Sequence, residues 1–527
     1  MIEETSYDYI IVGAGSAGCA LAHRLSTDAR VLLLEAGGAD VHADVHEPGR
    51  VLHVVFLAPE ISQPYLTEAQ PHLKGRAVAV HRGIVRGGCS SINAMVYVRG
   101  NRRDYDQWEQ SGNEGWSYDQ VLPYFKRSED FEGGASAYHA VGGPLRVRRF
   151  PEPSRAAQAF VEAAAALPEF RGSGPDWDFN GPQQENAAGF YQVNFTAQGR
   201  RASAAVAFLD PVKDRTSLEV KTGARTTRVV IERNRAVGVE CVEAGSLQIY
   251  RAAREVILSA GTFESPKLLM LSGIGPAHHL AAHGITTRVD LPGVGQNLQD
   301  HLMILMYFLA AHDPGRALIN AEAGLFANTR DRSGVTSPDL QYHVLAGMDL
   351  LPVAEPNFLI CPTLCKPESR GHLELRSADP ADRPIIQPRY LECHGDLDTL
   401  MAGVELAHHL GRTAPLRDLC ADTRPFAVPD ATQPDRRVPV PDRDDPALPD
   451  FVRANATTVW HPVGTCRMGR DKMAVVDPQL RVHGIDRLRV ADASIMPTIP
   501  SGNTNAPAIM IGEHAADLIR RRPADIS

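Results

Sequence analysis

The sequence predicts an α/β fold built on a parallel sheet, and three observations point there. A short apolar run, Tyr9–Val12, leads without a break into Gly13-Ala14-Gly15-Ser16-Ala17-Gly18. A helix-patterned stretch follows at Cys19–Ser26, with Ala22 and Leu25 at helical spacing. A second apolar run, Val31–Leu34, then ends on Glu35. Strand, glycine loop, helix and strand in this order make a βαβ unit whose loop can hold phosphate.

Each residue of the loop has a reason. Gly13 permits the tight turn, Gly15 lets the backbone approach a pyrophosphate, and Gly18 lets the helix lie close to the strand. Ser16 opens the helix, whose free N–H groups and dipole favour phosphate. Glu35 lies twenty-two residues after Gly13. There, with Ala36 beside it, its carboxylate can accept hydrogen bonds from a ribose diol. These residues imply a dinucleotide and do not separate FAD from NAD.

Further along, roughly Leu218–Ala260 is rich in strand patterns, with alternation in Thr227–Val239 and a buried-strand run at Val256–Leu258. The Pro-, Asp- and Arg-rich stretch Ala421–Asp450 reads as a long ordered loop or lid. Ala506–Arg522 reads as a helix, with Pro507 in its first turn and Ile511, Ala515, Leu518 and Ile519 on its apolar face.

Bulk properties narrow the class. A chain of 527 residues is too long for one simple core, and 43% hydrophobic with 22% charged residues is ordinary for a globular enzyme. A formal charge of −9 argues against nucleic acid and anionic membranes as partners. No apolar run approaches the roughly eighteen residues of a membrane span. The first strand begins almost at the N-terminus, leaving no room for a signal peptide. The eight cysteines are scattered, and Cys361 with Cys365 is the one close pair. Reduced thiols in a cytoplasmic protein without a metal site are the expectation.

Five further patches narrow the reading. They are Arg86-Gly87-Gly88-Cys89-Ser90-Ser91-Ile92-Asn93-Ala94-Met95-Val96 running on to Gly100; Gly261–Leu269 with Ser272–Gly275; Leu291–Leu298; His461-Pro462-Val463-Gly464-Thr465; and Ser501-Gly502-Asn503-Thr504-Asn505-Ala506-Pro507. In kind and order they resemble the signatures of the glucose–methanol–choline oxidoreductase family, closest to its choline dehydrogenase-like and hydroxymethylfurfural oxidase-like branch. The resemblance spans almost the whole chain. It implies FAD as the cofactor. It also implies a Rossmann-like FAD-binding domain with an inserted α+β substrate domain built on an antiparallel sheet. The FAD domain is expected at about 1–145, 203–305 and 456–527, and the substrate domain at about 146–202 and 306–455.

The resemblance also implies roles. Gly87, Gly88 and Ser90 would lie beside the isoalloxazine, with Asn93, Ala94, Met95 and Val96 running along its N5–O4 edge. Ile92 stands where some relatives carry a histidine bonded covalently to flavin, so noncovalent FAD is expected. Thr226 would meet the adenine through its backbone, and it could equally be an ordinary strand residue. Ala260 and Gly261 would pass the adenine end. Asp492 with Ala493 would contact the ribityl–pyrophosphate region, unless Asp492 merely caps a turn. Thr504 and Pro507 would open the flavin-facing tail helix, with Thr504 or Asn505 helping to cap it. His461 matches the family's base, and a neutral imidazole suits removal of a hydroxyl proton. Asn503 matches the second active-site position, with Asn505 the competing choice. Trp460 is either a wall of the substrate pocket or ordinary core. Gln341 and His343 share one face of a strand expected at Asp339–Val344 and could line that pocket.

The expected reaction is oxidation of a primary alcohol or similar CH–OH donor. Electrons would pass on to oxygen or, by the look of Ser91–Gly100, to a quinone or dye. The alternative on the same fold is a flavin-dependent lyase or fatty-acid photodecarboxylase, for which Cys361, Cys365 and Arg376 would be the residues to watch.

Overall fold

A computed structural model describes residues 6–329, 337–347, 352–429, 432–433 and 435–521. The N-terminal unit forms as expected: strand Ser6–Val12, helix Ser16–Leu25 and strand Val31–Leu34. All four residues of Val31–Leu34 are buried, as a strand covered on both faces requires. Leu218–Lys221, Val31–Leu34, Ser6–Val12, the far half of Ser246–Leu258 and Leu488–Val490 lie parallel, in that spatial order.

The near half of Ser246–Leu258 pairs antiparallel with Arg235–Glu243, which pairs with Ala224–Glu232. The alternation expected over Thr227–Val239 is therefore two strands of a hairpin. Arg233 and Asn234 form its turn at φ of 49° and 60°, a two-residue geometry that matches strand twist.

The chain's end completes this layer. Helix Asn505–Arg520 packs on Ser16–Leu25 so closely that a Cβ on Gly512 would lie 2.3 Å from the Ala17 carbonyl oxygen. Its buried Glu513 binds Arg24 at 2.9 Å and Arg127 at 2.6 Å.

A second, antiparallel sheet runs in the order Val438–Pro439, Phe426–Ala427, Met306–Leu309, Asn357–Leu364, Leu340–Ala346, Ala323–Ala327, Ala187–Phe190. Leu302–Met303 joins it beside Leu364 and carries Thr457–Thr458 on its other side. The sheet thus begins before the expected boundary at 305/306 and takes residues from beyond the one at 455/456. Leu145–Arg149 likewise crosses the expected 145/146 boundary, pairing with Gln192–Val193. The stretch Ala421–Asp450, in its described part, contributes the two short edge strands Phe426–Ala427 and Val438–Pro439.

The central strand Leu340–Ala346 is buried on both faces. Leu340, Tyr342 and Val344 pack with Phe160 of helix Arg155–Ala165 and with Leu400 and Val404 of helix His394–Gly411. Gln341 and His343 point the other way, toward the FAD-side layer. Among the described residues no helix is long and apolar enough to cross a membrane.

Candidate active site

The parallel strands end on a cleft of about 180 Å³. Gly13, Gly15, Ser16, Glu35, Ala36, Gly88, Thr226, Ala260, Gly261, Asp492 and Ala493 all line it. This is where an open parallel sheet offers its ligand site. Gly13 adopts φ of 103°, a region that favours glycine. A Cβ on Gly18 would fall 2.0 Å from the Gly13 carbonyl oxygen, which is the close helix–strand contact expected of it. A Cβ on Gly15 would meet nothing within 4 Å, so this backbone faces open space at a helix N-terminus that no side chain caps. That opening suits a pyrophosphate.

Glu35 accepts the Ala14 N–H at 2.9 Å and the Gly37 N–H at 2.8 Å, one on each oxygen. Both oxygens keep acceptor capacity, and burial raises the carboxyl pKa. Thr226 adds something the sequence did not show: its buried hydroxyl has no hydrogen-bond partner among the described residues, on a residue that lines the cleft. These donors and acceptors fit a dinucleotide such as FAD.

Asp492 lines the cleft and also caps a turn. One oxygen accepts from Gly261 N–H and Ser265 Oγ, while the other accepts Ser494 N–H and caps the turn Ala493–Ile495.

The two glycine loops touch, since a Cβ on Gly88 would lie 2.8 Å from Gly15 Cα. Behind them, Ser90 Oγ donates to the Gly87 carbonyl and accepts from Ala204 N–H, so its side chain is spent inside the protein. Asn93 Oδ1 accepts the Met95 N–H at 2.9 Å, holding Met95 at φ of 59°. Ala94 is half-buried and Val96 buried in strand Val96–Tyr97.

Sequence reasoning missed Arg201. It is fully buried and clasps the carbonyls of Val45, Ser90 and Asn93. Burial lowers its pKa to about 9. No local pattern singles out this arginine from its neighbour Arg200.

The tail segment separates the two asparagines. Asn505 Oδ1 accepts from Ser16 Oγ at 2.7 Å, tying the tail helix to the first helix. Thr504 holds the N-cap position without a side-chain cap bond, and Pro507 lies in the first turn. The expected capping by Thr504 or Asn505 is absent because Asn505 is engaged by Ser16. Asn503 instead points at His461, Nδ2 to Nε2 at 3.4 Å.

Two hydrogen-bond chains now meet at His461. On one side, His301 Nε2 lies 3.0 Å from the Cys365 carbonyl oxygen, and His301 Nδ1 lies 3.0 Å from His461 Nδ1. A carbonyl accepts only, so His301 Nε2 carries the proton. Burial lowers the His301 pKa to about 3, so its Nδ1 is bare. His461 Nδ1 must then be the donor, which leaves His461 Nε2 with its lone pair free.

On the other side, Tyr191 donates to the Tyr342 carbonyl at 2.8 Å and accepts from Gln341 Nε2 at 2.9 Å. Gln341 Nε2 also reaches Asn503 Oδ1 at 3.2 Å, turning the Asn503 NH₂ toward His461. Both chains start at a backbone carbonyl and both require His461 Nε2 to be an acceptor. Burial, with the nearby His301, His343 and Arg82, holds His461 well below the usual imidazole pKa.

Trp460 stands at φ of 63°, an uncommon conformation for a bulky residue outside glycine turns. Its ring packs edge-on against Phe56 and His81, and its carbonyl accepts from Arg82. Cys361 and Cys365 are buried free thiols, and Cys365 borders Gln341. Arg376 is at the surface in an ion pair with Glu68, so the three residues of the decarboxylase alternative are not brought together.

The GMC oxidoreductase family model matches residues 7–303 in its N-terminal part and 367–512 in its C-terminal part. The chain belongs to the GMC oxidoreductase family. It is an FAD enzyme of that family. It is 40% identical to an oxygen-dependent choline dehydrogenase of Sinorhizobium fredii, over 97% of this chain and 95% of that protein. It is also 40% identical to an alcohol dehydrogenase [acceptor] of Pseudomonas putida, over 98% and 96%. The solved structure of pyridoxine 4-oxidase from Mesorbium loti superposes with a TM-score of 0.87 at 32% identity, covering 98% of this chain and all of that one.

The cleft geometry separates two glycine variants. Gly15→Val adds carbon to open space at a φ of −82° that any residue adopts, so the variant should purify without FAD yet melt as the FAD-stripped parent does. Gly18→Ala drives a methyl into backbone and should lower both melting temperature and flavin content. Normal flavin absorbance in folded Gly15→Val contradicts this placement of the pyrophosphate.

Proposed function

We propose that the enzyme oxidises a primary alcohol, with His461 as the base and Asn503 as the hydrogen-bond donor to the reacting oxygen. The observation that carries this is the meeting of the two hydrogen-bond chains at a bare His461 Nε2. Bound FAD supplies the acceptor for the carbinol hydride. The protein's own residues handle the proton. A hydroxyl oxygen placed about 2.9 Å from both His461 Nε2 and Asn503 Nδ2 gives its proton to the first and accepts from the second. Negative charge grows on that oxygen as the proton leaves, and the Asn503 N–H stabilises it.

Gln341 keeps the Asn503 amide from turning over, because the reversed amide would set its NH₂ against the Gln341 NH₂. The proposal sets Gly87, Gly88, Ser90, Asn93, Ala94, Met95, Val96, Thr504 and Pro507 beside the FAD, and of these Gly88 lines the cleft. A cytoplasmic, reducing setting fits the eight unpaired thiols. Relatives named for choline, pyridoxine and unspecified alcohols support alcohol oxidation as the shared chemistry.

His461→Ala should slow anaerobic flavin reduction by an alcohol about 10²–10⁴-fold, the usual contribution of general-base catalysis, with flavin content near normal. A folded, yellow variant reduced within about threefold of the parent rate rules out His461 as the base. In the parent, the reduction rate should stay level as pH falls to about 6.5, the ordinary imidazole value, and decline only below it. The sign follows from the depressed pKa, since imidazolium forms later than usual and only imidazolium is inactive.

Stability must be followed in parallel. His301, His343 and His461 are all buried with depressed values. Their neutral forms favour the fold fully above about pH 6.5, and that contribution is lost as the unfolded chain gains protons below it.

We also propose that FAD is held without a covalent bond. Ile92 is buried among apolar residues and offers no nucleophile. Acid precipitation should release the yellow colour to the supernatant, and colour kept in the washed pellet contradicts the proposal.

A further inference from the structure

Among the described residues, one buried polar side chain beside the base has no partner. His343 is 5% exposed, yet neither its Nδ1 nor its Nε2 makes a hydrogen bond. It projects from the same face of Leu340–Ala346 as Gln341, and its ring centroid lies 5.7 Å from that of Tyr191. Its strand neighbours are Gly324 and Cys361, which give it no strong donor or acceptor. Buried polar groups are rarely left unmatched, and those that are unmatched commonly await a ligand or water. Burial lowers the His343 pKa to about 4, so near neutral pH it presents one N–H and one bare nitrogen.

We infer that the substrate is an alcohol carrying a second oxygen, a carbonyl, ether or hydroxyl, that accepts a hydrogen bond from His343. This rests on the alcohol-oxidation reading and narrows its substrate class.

The test is anaerobic flavin bleaching of the holoenzyme by 4-(hydroxymethyl)benzaldehyde and by benzyl alcohol. The first should bleach faster. His343→Leu should cut the preference for the aldehyde-bearing alcohol over benzyl alcohol by about tenfold, the scale of one hydrogen bond. His343→Gln, which keeps an N–H, should restore part of it. A preference that His343→Leu, folded and yellow, leaves unmoved overturns the inference while leaving alcohol oxidation standing. If neither alcohol bleaches a flavin that dithionite reduces, the alcohol-oxidation reading falls and the inference falls with it.

Discussion

The contact on which the site depends is between His301 Nδ1 and His461 Nδ1, 3.0 Å apart, with the Cys365 carbonyl behind it. It determines which ring nitrogen of His461, the proposed base, is left without a proton. Strand register puts it there. Leu302 pairs with Leu364 on one side and with Thr458 on the other, so His301 and Cys365 are one residue beyond adjacent partners. The Val459 N–H donates to the His301 carbonyl, and Asp300 Oδ1 gathers the N–H groups of both histidines. A slip of one residue in any of these strands would turn the imidazoles away from each other.

The same sheet carries the second chain. Leu340–Ala346 buries Leu340, Tyr342 and Val344 against helices and turns Gln341 and His343 toward the cofactor side. Tyr342 serves both faces: its hydroxyl donates to the Gly403 carbonyl under the helix, and its own carbonyl anchors Tyr191. Core packing on one face therefore fixes hydrogen-bond geometry on the other. This is how a dense interior can hold the proposed catalytic pair rigidly.

Local features were readable in the sequence wherever the chemistry is local. The strand–loop–helix start and Glu35 follow from spacing alone. The period-two pattern placed Gln341 and His343 on one face. The choice of Asn503 over Asn505 came from the resemblance, and the Ser16 contact now gives Asn505 separate work.

What the sequence could not show is long-range. His301, Cys365 and Thr458 lie far apart in the chain, and only strand pairing makes them neighbours. Arg201 looked like any surface arginine and is wholly buried. The missed hairpin is different, because Arg233-Asn234 between alternating runs was a legible turn signal.

The most direct test of the account is the protonation of the His461 ring nitrogens in the oxidised holoenzyme near pH 7.5. It can be read by ¹⁵N NMR of histidine-labelled protein, with His461→Ala used for assignment. The account predicts a protonated Nδ1 and a bare, pyridine-type Nε2. A proton on Nε2 at that pH would contradict the relay from Cys365 through His301, and with it the role of His461 as the base.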